Sequence, residues 1–338
     1  MVSLEEMRAS NGQIATSLPP GLVAVFAGAT SGIGETSLRQ FVKHAVRPKV
    51  FFLGRSQESG DRITTELKDL NSEGQYTFIS CDLSLMRNID EVCRQIEEKE
   101  AKINLLFITI GTLISGKDTS EGLYYPTAVT YFARVRLMQN LIPLMRGAPS
   151  LRRVVTVFAG TKEGKVNLDD VQARNTSMLS LRGHVASLLT LSLMAIARDA
   201  PEVGFVHNFP GAVKSHLGDG LSGRGIKVMM ALYRVVEPFV TTPVDEAGER
   251  QVFFATSARF RGCGEGMDGV PAKDGESARA VDGLQGKSGV YSVGSDGEPA
   301  SKQAVALLKK MEEDGVLDKA WSYTKSELTR ITGSAGLE

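Results

Sequence analysis

Ala24-Val25-Phe26-Ala27-Gly28-Ala29-Thr30-Ser31-Gly32-Ile33-Gly34 runs from an apolar segment through three glycines into a helical pattern. Gly28 permits a tight turn, Gly32 lets backbone N–H groups approach a pyrophosphate, and Gly34 allows the helix to lie close on the strand. The first turn of that helix faces the phosphates with unpaired donors and its positive dipole end, and Thr30, Ser31 and Ile33 complete the cradle. The strand before and the helix after make such a turn a dinucleotide site; without them a glycine-rich turn need hold no ligand.

Outward from this turn, short apolar runs alternate with longer helical patterns. Strands are expected over 23–27, 50–53, 76–81, 105–109, 153–158 and 204–209, with a last one over 288–293. After the glycine turn, Leu38, Phe41, Val42 and Ala45 share one helical face. Runs that are apolar throughout suit parallel strands buried on both faces. The rhythm predicts an α/β fold with a doubly wound, Rossmann-like parallel sheet, in a single domain with a C-terminal extension. The chain divides into an N-terminal arm over 1–20, a sheet domain over 21–258 with a lid at 216–242, a flexible loop over 259–287, and a last strand with C-terminal helices over 288–338. The loop is rich in glycine and charge. Leu317, Trp321, Thr324, Leu328 and Ile331 recur at helical spacing, which predicts a closing helix that buries the single tryptophan.

The 338 residues are 42% hydrophobic and 23% charged, a profile of a soluble globular protein rather than a disordered or fibrous one. Lysine plus arginine and aspartate plus glutamate both number 39, so no net charge draws the chain to nucleic acid or an anionic membrane. Cys81, Cys93 and Cys263 are odd in number and widely spaced, which fits a reducing, cytoplasmic compartment and no zinc site. None of the four histidines has a partner at the i, i+4 spacing that grips a metal, so no metal is expected. The first twenty residues lack the apolar run of a signal peptide. The apolar stretch over 186–197 is interrupted by Ser187, Thr190 and Ser192 and falls short of the ~20 residues a bilayer demands, so no integral membrane segment is expected.

The second strand ends Phe52-Leu53-Gly54-Arg55-Ser56, where a site for NAD(H) usually carries an acid. A carboxylate would repel a 2′-phosphate, whereas Arg55 forks two N–H bonds onto it and Ser56 adds a hydroxyl, so NADP(H) is the cofactor this turn favours. The competing reading of Arg55 is a solvated loop charge.

Gly28-x-x-x-Gly32-x-Gly34, Cys81-Asp82-Leu83 after the third strand and Pro210-Gly211-Ala212-Val213-Lys214-Ser215 after the sixth together resemble the short-chain dehydrogenase/reductase superfamily, over about Leu22 to Ser215. The resemblance implies that Asp82 and Leu83 hold the adenine, that Gly111 closes the loop after the fourth strand, and that Pro210, Gly211, Val213 and Ser215 line the nicotinamide. Arg182-Gly183-His184, Phe205-Val206-His207-Asn208-Phe209-Pro210-Gly211 and Gly248-Glu249-Arg250 resemble the atypical short-chain dehydrogenase-like proteins of fungal secondary metabolism.

Active members of that superfamily resemble one another in an Asn-Ser-Tyr-x-x-x-Lys set, in which the tyrosine passes a proton, the serine polarises the carbonyl and the lysine lowers the tyrosine pKa. On this chain the four positions fall at Thr130, Ala159 and near Leu179 and Gly183, and no Tyr-x-x-x-Lys occurs between Asn175 and Pro201. Hydride reaching a ketone develops alkoxide charge, so another group must meet it. Arg182 and His184 adjoin the lysine position, Tyr131 adjoins the asparagine position, and Lys162 and Glu163 follow Ala159. All five are candidates at the pocket mouth. The competing readings are a His184 bonded to a backbone carbonyl, a core Tyr131, and a solvated Lys162–Glu163 pair.

Residues 226–240, with Met229, Met230, Leu232, Tyr233 and Phe239, suit an adaptable lid over a bulky apolar substrate. A peripheral membrane helix flanked by Lys227 and Arg234, or an ordinary core or dimer helix, competes. The leading reading is an NADP(H)-dependent oxidoreductase with substituted catalytic groups, acting on a carbonyl or alcohol of a bulky apolar secondary metabolite. A non-redox cyclase, isomerase or dehydratase on the same fold and a catalytically silent dinucleotide-binding protein are the alternatives. The resemblance implies helix-paired dimers or tetramers, a homodimer among them, unless the long tail after Gly211 covers that surface.

Overall fold

The computed structural model describes residues 1–213, 241–263, 268–272, 275–281 and 289–334. Seven strands, β1 (Val23–Ala27), β2 (Lys49–Gly54), β3 (Gln75–Ser80), β4 (Leu105–Ile108), β5 (Arg153–Val157), β6 (Gly204–Asn208) and β7 (Val290–Val293), form one sheet. Its order is β3-β2-β1-β4-β5-β6-β7 and every pairing is parallel. Consecutive pleats feed opposite faces: Val23, Val25 and Ala27 enter one core while Ala24 and Phe26 enter the other. That double burial is why the strands read as unbroken apolar runs. The chain reverses its direction of travel across the sheet between β1 and β4, which opens a crevice outside their carboxyl ends.

The expected strands over 76–81, 105–109, 153–158 and 204–209 each run one residue past the observed end. Cys81, Thr109, Phe158 and Phe209 still donate their N–H to the neighbouring strand, at 2.8–2.9 Å. Their chain then leaves the sheet at the carboxyl edge, where function is built.

On one face lie α3 (Gly32–His44), α4 (Gln57–Leu70) and α9 (Val244–Thr256). The other face carries α5 (Met86–Glu97), the short α6 (Tyr125–Thr127), α7 (Ala133–Arg146) and α8 (Met178–Asp199), with α10 (Lys302–Glu313) and α11 (Val316–Thr332) packed over them. Helix α8 is long and apolar enough to cross a membrane, but 72% of its apolar window is buried inside the protein, between the sheet and the closing helices. Trp321 is only half-buried, because the α11 stripe seats Leu317, Ala320, Thr324, Leu328 and Ile331 and leaves the indole at its margin.

The N-terminal arm is not a tail. Residues Leu4–Gly12 form α1 behind a Ser3/Glu6 capping box, and Ile14–Ser17 form the short α2. Met7, Ile14 and Leu18 are buried in the core, and the buried Asn11 amide donates to the Glu249 carbonyl and carboxylate of α9 at 2.9 and 2.8 Å. The described part of the 259–287 loop also packs, since Phe260 stands edge-on to Phe253, Phe254 and Tyr291 and Val270 pairs with Ser257. Glycine and charge suggested mobility there, but aromatic packing overrides composition. Residues 214–240, which include Ser215 and most of the expected lid, lie outside the described residues.

Met7→Ala tests the docking of the arm. Loss of a fully buried methionine is expected to cost ~2–4 kcal/mol and to lower Tm, read by thermal melting. An unchanged Tm would mean the arm hangs free.

Candidate active site

At the β1–β4 crevice, Gly28 (φ +87°) and Gly32 (φ +56°) hold the left-handed conformations the turn requires. A Cβ on Gly34 would lie 2.2 Å from the Gly28 carbonyl oxygen, so only glycine lets α3 rest on the turn. Thr109, just past β4, locks this contact by donating its hydroxyl to the Gly28 carbonyl at 2.9 Å. Ser31, the N-cap of α3, has no side-chain cap hydrogen bond, which leaves the first-turn N–H groups open to an anion. Glu35 in that turn is neutralised: burial would raise its carboxyl, but hydrogen bonds from Arg62 and Arg39, at 2.8–3.0 Å, outweigh burial and hold it below the ordinary range.

A Cβ on Gly54 would lie 2.4 Å from the Thr30 methyl, so β2 ends against the glycine turn and delivers Arg55 beside it. Arg55 is exposed and forms no ion pair among the described residues. Ser56 caps α4 by accepting the Ser59 N–H at 3.2 Å, leaving its own proton to donate. Asp82 folds onto its own loop through the Ser84 N–H at 3.0 Å, and Leu83 is buried. Gly111 is exposed after β4; Pro210, Gly211 and Val213 follow β6, and Val213 pairs with Thr242.

The turn after β5 is strained. Thr161, a β-branched residue, sits at φ +68°. Its N–H donates to Ser292 Oγ at 2.7 Å, and Gly160 before it lies so near the His207 carbonyl that a Cβ would come within 2.1 Å. This turn sends the adjacent side chains opposite ways. Lys162 is exposed, with Nζ 5.3 Å from the centre of the Phe209 ring, while the Glu163 side chain is completely buried. Burial of Glu163 corrects its expected place at the pocket mouth.

Glu163 Oε1 accepts from Ser292 Oγ at 2.6 Å and Thr190 Oγ1 at 2.9 Å. The Ala159 N–H donates to His207 Nε2 at 3.1 Å, so the neutral ring carries its proton on Nδ1 and donates it to Thr190 Oγ1 at 2.8 Å. Burial, with the Arg134 charge, holds His207 down to about 3, and burial pushes Glu163 up. His207, Thr190 and Ser292 were not singled out by the sequence, because they come from three elements far apart in the chain.

The remaining candidates are not gathered around one point. His184 is buried; Nδ1 accepts the Asn167 N–H at 3.1 Å and Nε2 donates to the Val171 carbonyl at 3.0 Å, so both nitrogens pin the 167–171 loop. Arg182 is exposed. Tyr131 is fully buried, with its hydroxyl between Ser192 and Thr324 at 2.8 and 2.7 Å, which corrects its expected location at the pocket mouth. At Gly183 a Cβ would lie 3.1 Å from Gly164 Cα: α8 and the post-β5 loop meet backbone to backbone, with little room for a longer side chain.

Arg134 is a further site feature that the sequence did not single out. Its guanidinium is fully buried at the carboxyl ends of β4 and β5 and donates to the carbonyls of Ile108 at 3.2 Å, Val157 at 3.0 Å and Ile110, and to the Thr156 hydroxyl. Burial pushes it down to about 9, so it remains a cation at neutral pH. Its signal was legible: an arginine among Leu137, Met138 and Leu141 on an apolar helix face, one turn past Thr130 and the π-helical turn Ala128–Phe132.

A doubly wound parallel sheet with a glycine cradle at its switch point is a dinucleotide-binding fold. The short chain dehydrogenase family model matches residues 22–167, and the chain belongs to the short-chain dehydrogenase/reductase family. It is 34% identical over 335 residues to oxidoreductase AN1596 of Emericella nidulans, covering 96% of this chain and 98% of that one. Oxidoreductase andH of Emericella variicolor is 33% identical over 340 residues, covering 99% of each. Among solved structures, L-sorbose reductase from Gluconobacter frateurii complexed with NADPH and L-sorbose shares the fold, at TM-score 0.53 and 15% identity over 70% of this chain and 90% of that one.

Thr161→Gly removes the strain at φ +68° while leaving Ser292 its N–H partner. Relief of ~1–3 kcal/mol less the added backbone entropy is expected to raise Tm by about 1–3 °C. A lower Tm would show that the threonine side chain outweighs its strain.

Proposed function

We propose that this chain is an NADP(H)-dependent oxidoreductase acting on a carbonyl or alcohol of a bulky apolar small molecule, in fungal secondary metabolism. The observation that carries the reading is Arg55: an exposed guanidinium, free of carboxylate partners among the described residues, at the end of β2 against Thr30 of the glycine turn. A 2′-phosphate is the ligand group that such a cation fits. The cradle of Gly28, Thr30, Ser31, Gly32, Ile33 and Gly34 would hold the pyrophosphate, Asp82 and Leu83 the adenine end, and Gly111, Pro210, Gly211, Val213 and Ser215 the nicotinamide end. The dinucleotide supplies or accepts hydride.

Lys162 is the cation best placed to meet alkoxide charge, since it lies over Phe209 directly before Pro210 and Gly211. Arg182 is a second exposed cation on the neighbouring helix. His184 acts as a positioning residue, because both of its nitrogens serve the 167–171 loop. Leu113 and Ile114, exposed in the loop after β4, favour an apolar substrate. The free cysteines suit a reducing, cytoplasmic setting.

Titration with NADPH and NADH tests the reading. The protein is expected to bind NADPH the more tightly, and Arg55→Ala to weaken NADPH tenfold or more with little change for NADH. Equal weakening of both would remove the 2′-phosphate contact. Binding of neither would move the function to a non-redox reaction on the same fold.

A further inference from the structure

We propose that Arg134 sets the oxidation-state preference of the bound dinucleotide, holding the uncharged reduced nicotinamide more tightly than the cationic oxidised one. The inference rests on the preceding reading, which puts the nicotinamide at the carboxyl ends of β4, β5 and β6.

The guanidinium lies immediately beneath that edge. Its hydrogen-bond acceptors are all neutral: the Ile108, Ile110 and Val157 carbonyls and the Thr156 hydroxyl. Arg134 is 1% exposed, its Nε has no partner, and no carboxylate among the described residues hydrogen-bonds it. Its aromatic neighbour Phe158, 5.7 Å away, carries no charge. His207, stacked on Phe158 at 6.3 Å, is neutral because its Nε2 must accept the Ala159 N–H while Nδ1 spends its proton on Thr190. Glu163, the buried acid of this wall, is turned toward Ser292 and Thr190, with His207 Nδ1 at 3.9 Å, and is not among the hydrogen-bond acceptors of Arg134.

Strand-end carbonyl dipoles offset part of the cost of burying this cation, but they leave its net charge in place. Water screens it little there. The two oxidation states of nicotinamide differ by one positive charge on the ring, so a fixed cation nearby acts on that difference while leaving the phosphate contacts alone. Two unit charges ~10 Å apart, at an effective dielectric constant of ~20, shift a binding ratio by roughly tenfold. A tenfold preference for the reduced form raises the midpoint potential of the bound two-electron couple by about 30 mV. Arg134 thereby biases the binary complex toward accepting hydride.

The test is calorimetric titration of the wild-type protein, R134Q and R134K with NADPH, NADP+ and 2′-phospho-ADP-ribose, which lacks the nicotinamide ring. The wild type is expected to bind NADPH roughly tenfold more tightly than NADP+. R134K keeps the charge and most of that ratio; R134Q brings it toward one while leaving 2′-phospho-ADP-ribose binding unchanged. A ratio in R134Q equal to that of the wild type overturns the inference. Should R134Q fail to fold, a wild-type ratio near one, or loss of the ratio in a folded R134K, overturns it equally. If the wild type binds 2′-phospho-ADP-ribose and NADPH normally, the NADP(H) reading stands whatever the ratio; if it binds none of the three, that reading falls and this inference with it.

Discussion

Burial of both faces of the parallel sheet is the constraint from which the rest of the molecule follows. With helices packed on each side, the residues of β1, β4, β5, β6 and β7 and all but the first of β2 face two dry cores, while the edge strand β3 is only partly covered. Polar chemistry is therefore driven to the carboxyl edge, where each strand gives up its last ladder bond and the chain turns away. A close backbone approach at that edge, Gly34 on the Gly28 carbonyl with Thr109 pinning it from just past β4, ties the two central strands to helix α3. A larger side chain at Gly34 would separate the helix from the turn and the cradle would open.

The same edge shows how the fold handles charge away from water. Two arginines are buried around β5: Arg153 at its amino end, donating to the carbonyls of Phe254, Ser257 and Asp268, and Arg134 at its carboxyl end, donating to those of Ile108, Ile110 and Val157. Each planar fork gathers carbonyls that a strand end or loop would otherwise leave unpaired, which is why a costly buried cation is tolerated there. The two differ in what they face. Arg153 braces the chain at Phe254, Ser257 and Asp268, with the Asp268 carboxylate close by, whereas Arg134 lies under the crevice with no acid bonded to it among the described residues.

Beside Arg134, the post-β5 turn sends the two side chains of a sequence doublet to separate places. The left-handed Thr161 rotates the chain so that Lys162 points out over Phe209 and Glu163 turns into a network with Ser292, Thr190 and His207. Strain in a β-branched residue persists only where its surroundings over-determine it, and here the Ser292 acceptor and the close pass of Gly160 on β6 do so.

The alternation of apolar runs with helical stripes, the glycine spacing and the Arg55 that replaces an acid were legible in the chain, because strand, turn and helix signals are local and their periods are set by backbone geometry. Those signals determined the sheet, its switch point and the glycine turn between β1 and α3. They did not reveal that Met7 and Asn11 dock the arm onto α9, that Phe260 anchors a glycine-rich loop, or that Tyr131 and His184 spend their polar atoms inside the protein. Nor could they bring Glu163, Thr190, His207 and Ser292 together, since these residues come from a loop, a helix and two strands spread over 130 positions. Whether a polar side chain meets solvent or a buried partner depends on what lies across from it, and only the tertiary structure decides that.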